Sequence, residues 1–191
     1  MKSLKPKRCA ASKCRKTFTP RSGLQCVCSP RCAVEFTRER EAKKKRRESR
    51  AWTRVQLEGM KTKPMLMKEA QSEFNKYIRA RDRYRFCISC GKAPKSEHLT
   101  GGSIDCGHYR SIGSSPEHRF DEDNAHGQCK HCNRHRSGDV VHYRIGLMLR
   151  IGLNRVDELE RNHEMPNWTR DDLRNIRDHY RARANELRRS G

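Results

Sequence analysis

The feature that most constrains this chain is the placement of its ten cysteines. Cys87-Ile-Ser-Cys90 and Cys129-Lys-His-Cys132 are two-residue knuckles separated by 38 residues. Paired thiolates on two tight turns converge on one tetrahedral ion, and sulfur sets of this spacing select zinc. A closed four-sulfur shell leaves no open position for water, so this zinc is structural and any chemistry lies elsewhere. A second set comes earlier: Cys9, Cys14, Cys28 and Cys32, with Cys26 as the substitute for Cys28 if the register is shifted. Ser29-Pro30-Arg31 turns into a helix there, with Pro30 suited to a first helical position. Two structural zinc ions are therefore expected. Cys106 is left over, as a small buried hydrophobe in a strand.

Composition explains why staples are needed. Only 33% of the residues are hydrophobic and 35% are charged, too polar to bury one large core along the whole length. The basic stretch Met1 to Arg8 is not followed by an apolar run, so no signal peptide is expected. A reducing cytoplasm follows, where cysteines bind metals rather than pair. No apolar run is long enough to span a membrane. Lys and Arg total 44 against 23 acidic residues, a formal charge of +21, which points to a polyanion and first to DNA.

The chain divides into four parts by composition: a cysteine-rich zinc-binding module over 1–36, a basic helical linker over 37–64 closed by Gly59 and Pro64, a core over 65–153, and a helical region over 154–191. Leu66, Ala70, Phe74, Tyr77 and Arg81 recur at helical spacing over 65–83, as a core-packing stripe. Thr169 and Asp172 read as a capping box opening a last helix, with Leu173, Ile176, Tyr180 and Leu187 on one side. Trp52 and Trp168 read as packing residues. Between and after the knuckles lie Asp105-Cys-Gly-His108-Tyr109-Arg110, Phe120-Asp-Glu-Asp-Asn124 and Gln128-Cys129 to Arg136. Ser137-Gly-Asp139 offers an N-cap to a helix with Val140, Val141, Arg144, Leu147 and Met148 in phase. The implied order is strand, loop, strand, helix, clamped start to end by the two knuckles, in an α+β fold flanked by helices.

The order His108, Asn124, Cys129-x2-Cys132-Asn133 resembles the core of HNH (ββα-metal) endonucleases. The finer pattern, Asp105-x-Gly-His-Tyr-Arg110 with Gln128-Cys-x2-Cys-Asn-x-His-x-Ser-Gly138, is similar to the NinG (Rap) recombination proteins of lambdoid phages. The similarity takes in the N-terminal cysteine module, the basic linker, Cys-Ile-Ser-Cys-Gly91 and the Trp168-Thr169 helix start, so it covers nearly the whole chain. It implies structure-selective cleavage of branched DNA, including Holliday junctions and strand-invasion intermediates (D-loops), in phage recombination within a bacterial host. It implies His108 as general base, Asn124 as the brace of its loop, and Asn133 as a ligand at the helix start.

Phosphodiester cleavage needs an activated water and neutralisation of charge on the phosphate. A neutral imidazole near pH 7 suits the first task. Asp105, Asn133 and His135 are the candidate ligands of Mg2+ or Mn2+, with Arg110, Arg134 and Arg136 on DNA phosphates. One departure stands out. Gly107 occupies the place where many HNH motifs carry an acid or histidine, and strand alternation puts Asp105 on the face opposite His108. Two nicks per junction suit a homodimer, and phage or host recombination proteins are possible partners. Two competing functions remain: a non-catalytic zinc-dependent DNA-binding recombination mediator, and a sequence-specific HNH enzyme. A diffuse basic surface without a sequence-reading module favours shape over base readout.

Overall fold

The structure, a computed structural model, describes residues 4–94, 104–161 and 164–190. It forms two compact units, Met1–Lys61 and Thr62–Gly191.

In the first unit, β1 (Lys7–Arg8) and β2 (Thr17–Phe18) pair antiparallel, Lys7 opposite Phe18. Both are only two residues long, too short to stand without a staple. The 31-residue helix α1 (Pro30–Met60) follows. Ser29 caps it by accepting from the Cys32 N–H, and Pro30 takes the first turn, where its missing N–H costs nothing. No described residue of α1 is buried. Trp52, expected in packing, is 66% exposed, because this unit places no second element against that face. The division expected at residue 36 is absent: Cys32 lies in the first turn of α1, so module and basic helix are continuous.

The second unit is built on a two-stranded antiparallel hairpin, β3 (Ile104–His108) and β4 (Ala125–Cys129), with Asp105 opposite Gln128 and His108 opposite Ala125. Helices cover both faces. On one lie α2 (Lys63–Arg81) and α5 (Arg170–Arg189), where Phe74, Tyr77, Ile78, Tyr180 and Ala184 pack with Ala125 and Cys106. Phe74 meets Tyr180 edge to face at 4.9 Å, a favoured aromatic geometry. Trp168 packs edge-on against Phe120 at 5.2 Å. Thr169 and Asp172 form the expected capping box at the start of α5. Leu173 and Tyr180 are buried as the stripe requires, while Leu187 is 39% exposed as the helix runs past its neighbours.

On the other face lie α3 (Val140–Ile151) and α4 (Leu153–Glu160), whose Tyr143, Leu147, Val156 and Leu159 bury Ile88 and Tyr109. Residues 154–191 are therefore no region apart, since α4 and α5 complete the core on opposite faces of the hairpin. The face of α3 also differs from expectation. Val140 and Val141 are exposed, and Tyr143 and Leu147 are the buried pair, four residues apart on one side.

A close approach fixes that side. A Cβ built on Gly146 falls 1.9 Å from the Ile88 carbonyl oxygen, inside the first knuckle. A carbonyl cannot move aside as a long side chain can. Gly146→Ala is expected to destabilise the second unit by about 3 kcal/mol, the upper end for overpacking, read from the denaturant midpoint. A midpoint equal to wild type would show that α3 does not sit this close.

Candidate functional site

The two four-cysteine sets assemble as the spacing requires. Cys9, Cys14, Cys28 and Cys32 bring their sulfurs within 4.8 Å of one another, and so do Cys87, Cys90, Cys129 and Cys132. Sulfur–sulfur distances are 3.6 Å for Cys14–Cys28, 3.7 Å for Cys28–Cys32 and 3.8 Å for Cys90–Cys129. A tetrahedral ion with Zn–S bonds of about 2.3 Å sets its sulfurs roughly 3.8 Å apart, so both cages fit zinc. Backbone N–H groups point at the sulfurs: Cys28 to Cys9 at 3.5 Å, Cys129 to Cys87 at 3.3 Å and Cys132 to Cys129 at 3.5 Å.

Electrostatics leads to the same conclusion. Contact with the Cys14 sulfur, then burial, pushes the Cys28 thiol up to about 12. Burial opposes ionisation of Cys9, but backbone N–H groups of Ala11 and Cys28 outweigh it and bring that thiol down to about 7. Four sulfurs this crowded cannot all ionise without a cation between them. Cys26 is exposed and outside the set, so Cys28 holds the fourth corner. Cys106 packs on the core from β3, and burial raises its thiol to about 12. Among the described residues, these two sets are the groups of three or more His, Cys, Asp or Glu placed to hold a metal.

The remaining site residues fall on two sides of the hairpin. Asp105 points toward the turn after the second knuckle, a π-helical turn at His131–His135. It accepts from Asn133 Nδ2 at 3.2 Å and from Arg134 at 2.7 and 3.0 Å. Burial pushes the Asp105 carboxyl up, but the bonds from Arg134 and Asn133 outweigh it and hold it below its ordinary range. Asp105 and Asn133 thus meet side chain to side chain. Arg134 instead straps that carboxylate rather than standing free for DNA. His135 is exposed with its ring on His131, 5.9 Å between centroids. Arg136 lies 3.1 Å from the Asp139 carboxylate. Asp139 begins α3 in a left-handed conformation and does not cap it, since its other oxygen takes His142 at 2.7 Å.

His108 lies on the opposite face of β3, its ring 5.9 Å from Phe74. The ring lies near the Arg119 backbone, and Nε2 is buried with no hydrogen-bond partner. Burial lowers the imidazole to about 4; the Arg119 backbone works against this and the Arg119 charge adds to it. The ring is therefore neutral at pH 7. Asn124 is fully buried and braces the loop after β3: it accepts from the Arg110 N–H at 2.7 Å and donates to the carbonyls of Arg110 and His118 at 3.0 and 3.1 Å. Arg110 has its own Nε buried without a hydrogen bond.

Gly107 now has a physical reason. A Cβ there would lie 2.4 Å from Gln128 Oε1, so the side chain of Gln128 fills the space an acid would need. Gln128 is fully buried and donates to Ser89 Oγ at 2.7 Å and to the Gly138 carbonyl at 2.6 Å. It ties the first knuckle to the loop after the second. Sequence reading gave Gln128 no role, although its place beside Cys129 was the available signal. His98 and His163 lie outside the described residues.

Fold and site define a class: a mixed helix and small-sheet protein with two four-cysteine sets of zinc-ligand geometry. Among the described residues, no helix is long and apolar enough to cross a membrane. The family model described as Bacteriophage Lambda NinG protein matches residues 1–190. Protein ninG of Salmonella phage P22 is 37% identical over 198 residues, covering 96% of this chain and 95% of that protein. Protein ninG of Escherichia phage lambda is 37% identical over 198 residues, with 96% and 94% covered. That of Escherichia phage 933W is 36% identical over 200 residues, with 97% and 96% covered. The chain belongs to the NinG family. No solved structure matches it.

Proposed function

We propose that this protein is a zinc-stapled DNA endonuclease of the HNH type that cuts branched recombination intermediates, Holliday junctions and D-loops among them, with His108 as general base. The observation that carries the reading is the His108 imidazole. It is neutral, packed against Phe74, and keeps an unpaired Nε2 at the end of a strand held between zinc knuckles. A buried nitrogen without a partner needs a reason, and proton transfer supplies one. In this reading DNA binding opens a path to the buried nitrogen, and its lone pair then takes a proton from water as phosphate is attacked, while Asn124 holds the loop after β3. The formal charge of +21 favours a DNA substrate. Two nicks per junction call for two such sites, hence a dimer.

The reading includes Mg2+ or Mn2+ on Asp105 and Asn133. As the site stands, Arg134 occupies that carboxylate and His135 does not join it, so no step is derived through the ion. A second reading, a non-catalytic DNA-binding recombination protein, draws on the same geometry: His108 and the Asp105–Asn133 pair sit on opposite faces of β3.

A labelled four-way junction separates the two. Wild type in Mg2+ is expected to cut it, and His108→Ala to cut at least about 100-fold more slowly, within the range for loss of a general base, with binding unchanged. Because the ring is lowered to about 4, cutting should persist down to about pH 5 instead of falling near 6.5. Binding without cutting by wild type, with or without Mg2+, would establish the second reading. Duplex cutting at one sequence without branch preference would favour a sequence-specific enzyme.

A further inference from the structure

Half of the basic residues of α1 fall on one side of the helix. Lys43, Arg46, Arg47, Arg50 and Arg54 follow the three- and four-residue spacing that keeps side chains on one side of a helix. At 3.6 residues per turn they fall within about 100° of the circumference. They line one shallow groove along the helix, with Glu39 at its N-terminal end, where that carboxylate accepts from the Ser12 N–H at 3.3 Å. All five are exposed. Among the described residues none has an ion-pair partner, whereas Lys44, off this side, lies 3.9 Å from Glu48. Glu41, Glu48 and Trp52 fall on the opposite side by the same count.

A solvated helix has no reason to sort its charges so. Ion pairs three or four residues apart stabilise an isolated helix, and a like-charged stripe weakens it. α1 has no buried face to offset that cost. A polyanion does offset it. From residue 43 to residue 54 the helix rises about 17 Å. Duplex DNA carries one phosphate per roughly 3.4 Å along each strand, so that span faces about five phosphates of one strand.

We infer that α1 is a phosphate-tracking arm: Lys43, Arg46, Arg47, Arg50 and Arg54 dock along one DNA strand. This rests on the reading of DNA as the substrate. It predicts shape-blind contact, since phosphate contacts position without reading sequence.

The test uses the full-length, zinc-loaded protein, a 30-base-pair duplex, and a four-way junction, with affinity measured by fluorescence anisotropy across salt. Two triples remove equal charge: R46Q/R47Q/R50Q on the stripe and R38Q/K44Q/K45Q off it. Glutamine keeps helix propensity, and circular dichroism confirms retained helix. Each lost phosphate contact flattens log K against log salt by about 0.9. The stripe triple is expected to flatten it by about 2.7 and the other triple by less than 1. Equal flattening by both triples, with wild-type binding intact, overturns the arm and leaves the DNA reading standing. No binding of either DNA by wild type overturns both. Tighter binding of an RNA hairpin than of either DNA, lost in the stripe triple, reassigns the stripe to RNA and overturns this proposal.

Discussion

A Cys132→Ser chain is expected to carry one zinc instead of two and to lose the cooperative melting of the unit Thr62–Gly191. Cys132 is 1% exposed and closes the second knuckle directly before Asn133. Structural zinc sites contribute about 10–16 kcal/mol of apparent binding free energy. Whole domains are stable by only about 5–15 kcal/mol, so losing the site exceeds what the unit can absorb. The consequence is structural before it is chemical. Ile88, inside the first knuckle, is a core residue beneath α3, and Gln128, beside the second, ties the two knuckles. Without the ion, α3 loses its seat on the hairpin. The first cage, in Met1–Lys61, should keep its zinc, because the units are compact separately. Cys26→Ser, outside both cages, should change neither zinc content nor melting. Metal analysis with calorimetry decides: two zinc ions and a wild-type transition in Cys132→Ser would remove the second cage from the account of stability.

The parts legible in the sequence are those where local chemistry admits few solutions. Four cysteines at knuckle spacing have one way to satisfy zinc. The Thr169–Asp172 box satisfies orphan N–H groups at the start of α5 whatever surrounds it. On α2, Leu66, Ala70, Phe74 and Tyr77 reach the core as their period demands, and Arg81 leaves the stripe for a buried carboxylate. The illegible parts depend on what another segment does. Trp52 is apolar enough for a core but has none beside it. Val140 and Val141 are hydrophobic in phase with Leu147, yet the approach of Gly146 to the Ile88 carbonyl turns α3 so that Tyr143 is buried instead. The emptiness of position 107 reads as a missing acid until Gln128 is seen filling it. The site was legible as a list of residues and not as an arrangement. Strand alternation separates Asp105 from His108, but only the structure shows Arg134 folded onto the first and Phe74 against the second.

Asp82 carried no sequence signal, and its removal should be the most damaging change outside the cages. Its carboxylate is wholly buried at the end of α2. It accepts from Arg81 Nε and Nη2, each at 2.9 Å, and from the Gly127 N–H at 2.7 Å, with His126 and Arg150 each 3.7 Å away. Arg81 in turn donates to the carbonyls of Ala125 and Glu122 at 2.8 and 3.1 Å. One carboxylate therefore fixes the end of α2 to β4. Asp82→Ala strands a part-buried guanidinium and a buried N–H, and the expected loss is about 3–5 kcal/mol, read by urea unfolding of the zinc-loaded protein. Should Asp82→Ala fail to fold, Asp82→Asn keeps the shape and tests the charge alone. Acid should act through the same groups. Burial pushes Asp82 up, but the nearby His126 and the bonds from Arg81 and the Gly127 N–H outweigh it and hold the carboxyl well below its ordinary range. Its stabilisation is thus full above about pH 3.9, the unfolded value, and is lost as pH falls below it. Burial also lowers His126, so its contribution is present above about pH 6.5 and declines as pH falls below that. Wild type should therefore weaken from pH 7 downward in two stages, and the lower one, to which the lowered Asp105 also contributes, should be smaller in Asp82→Asn. A loss under about 1 kcal/mol in Asp82→Ala, within the range of an ordinary hydrogen bond, would mean that α2 is held to β4 by its apolar face alone.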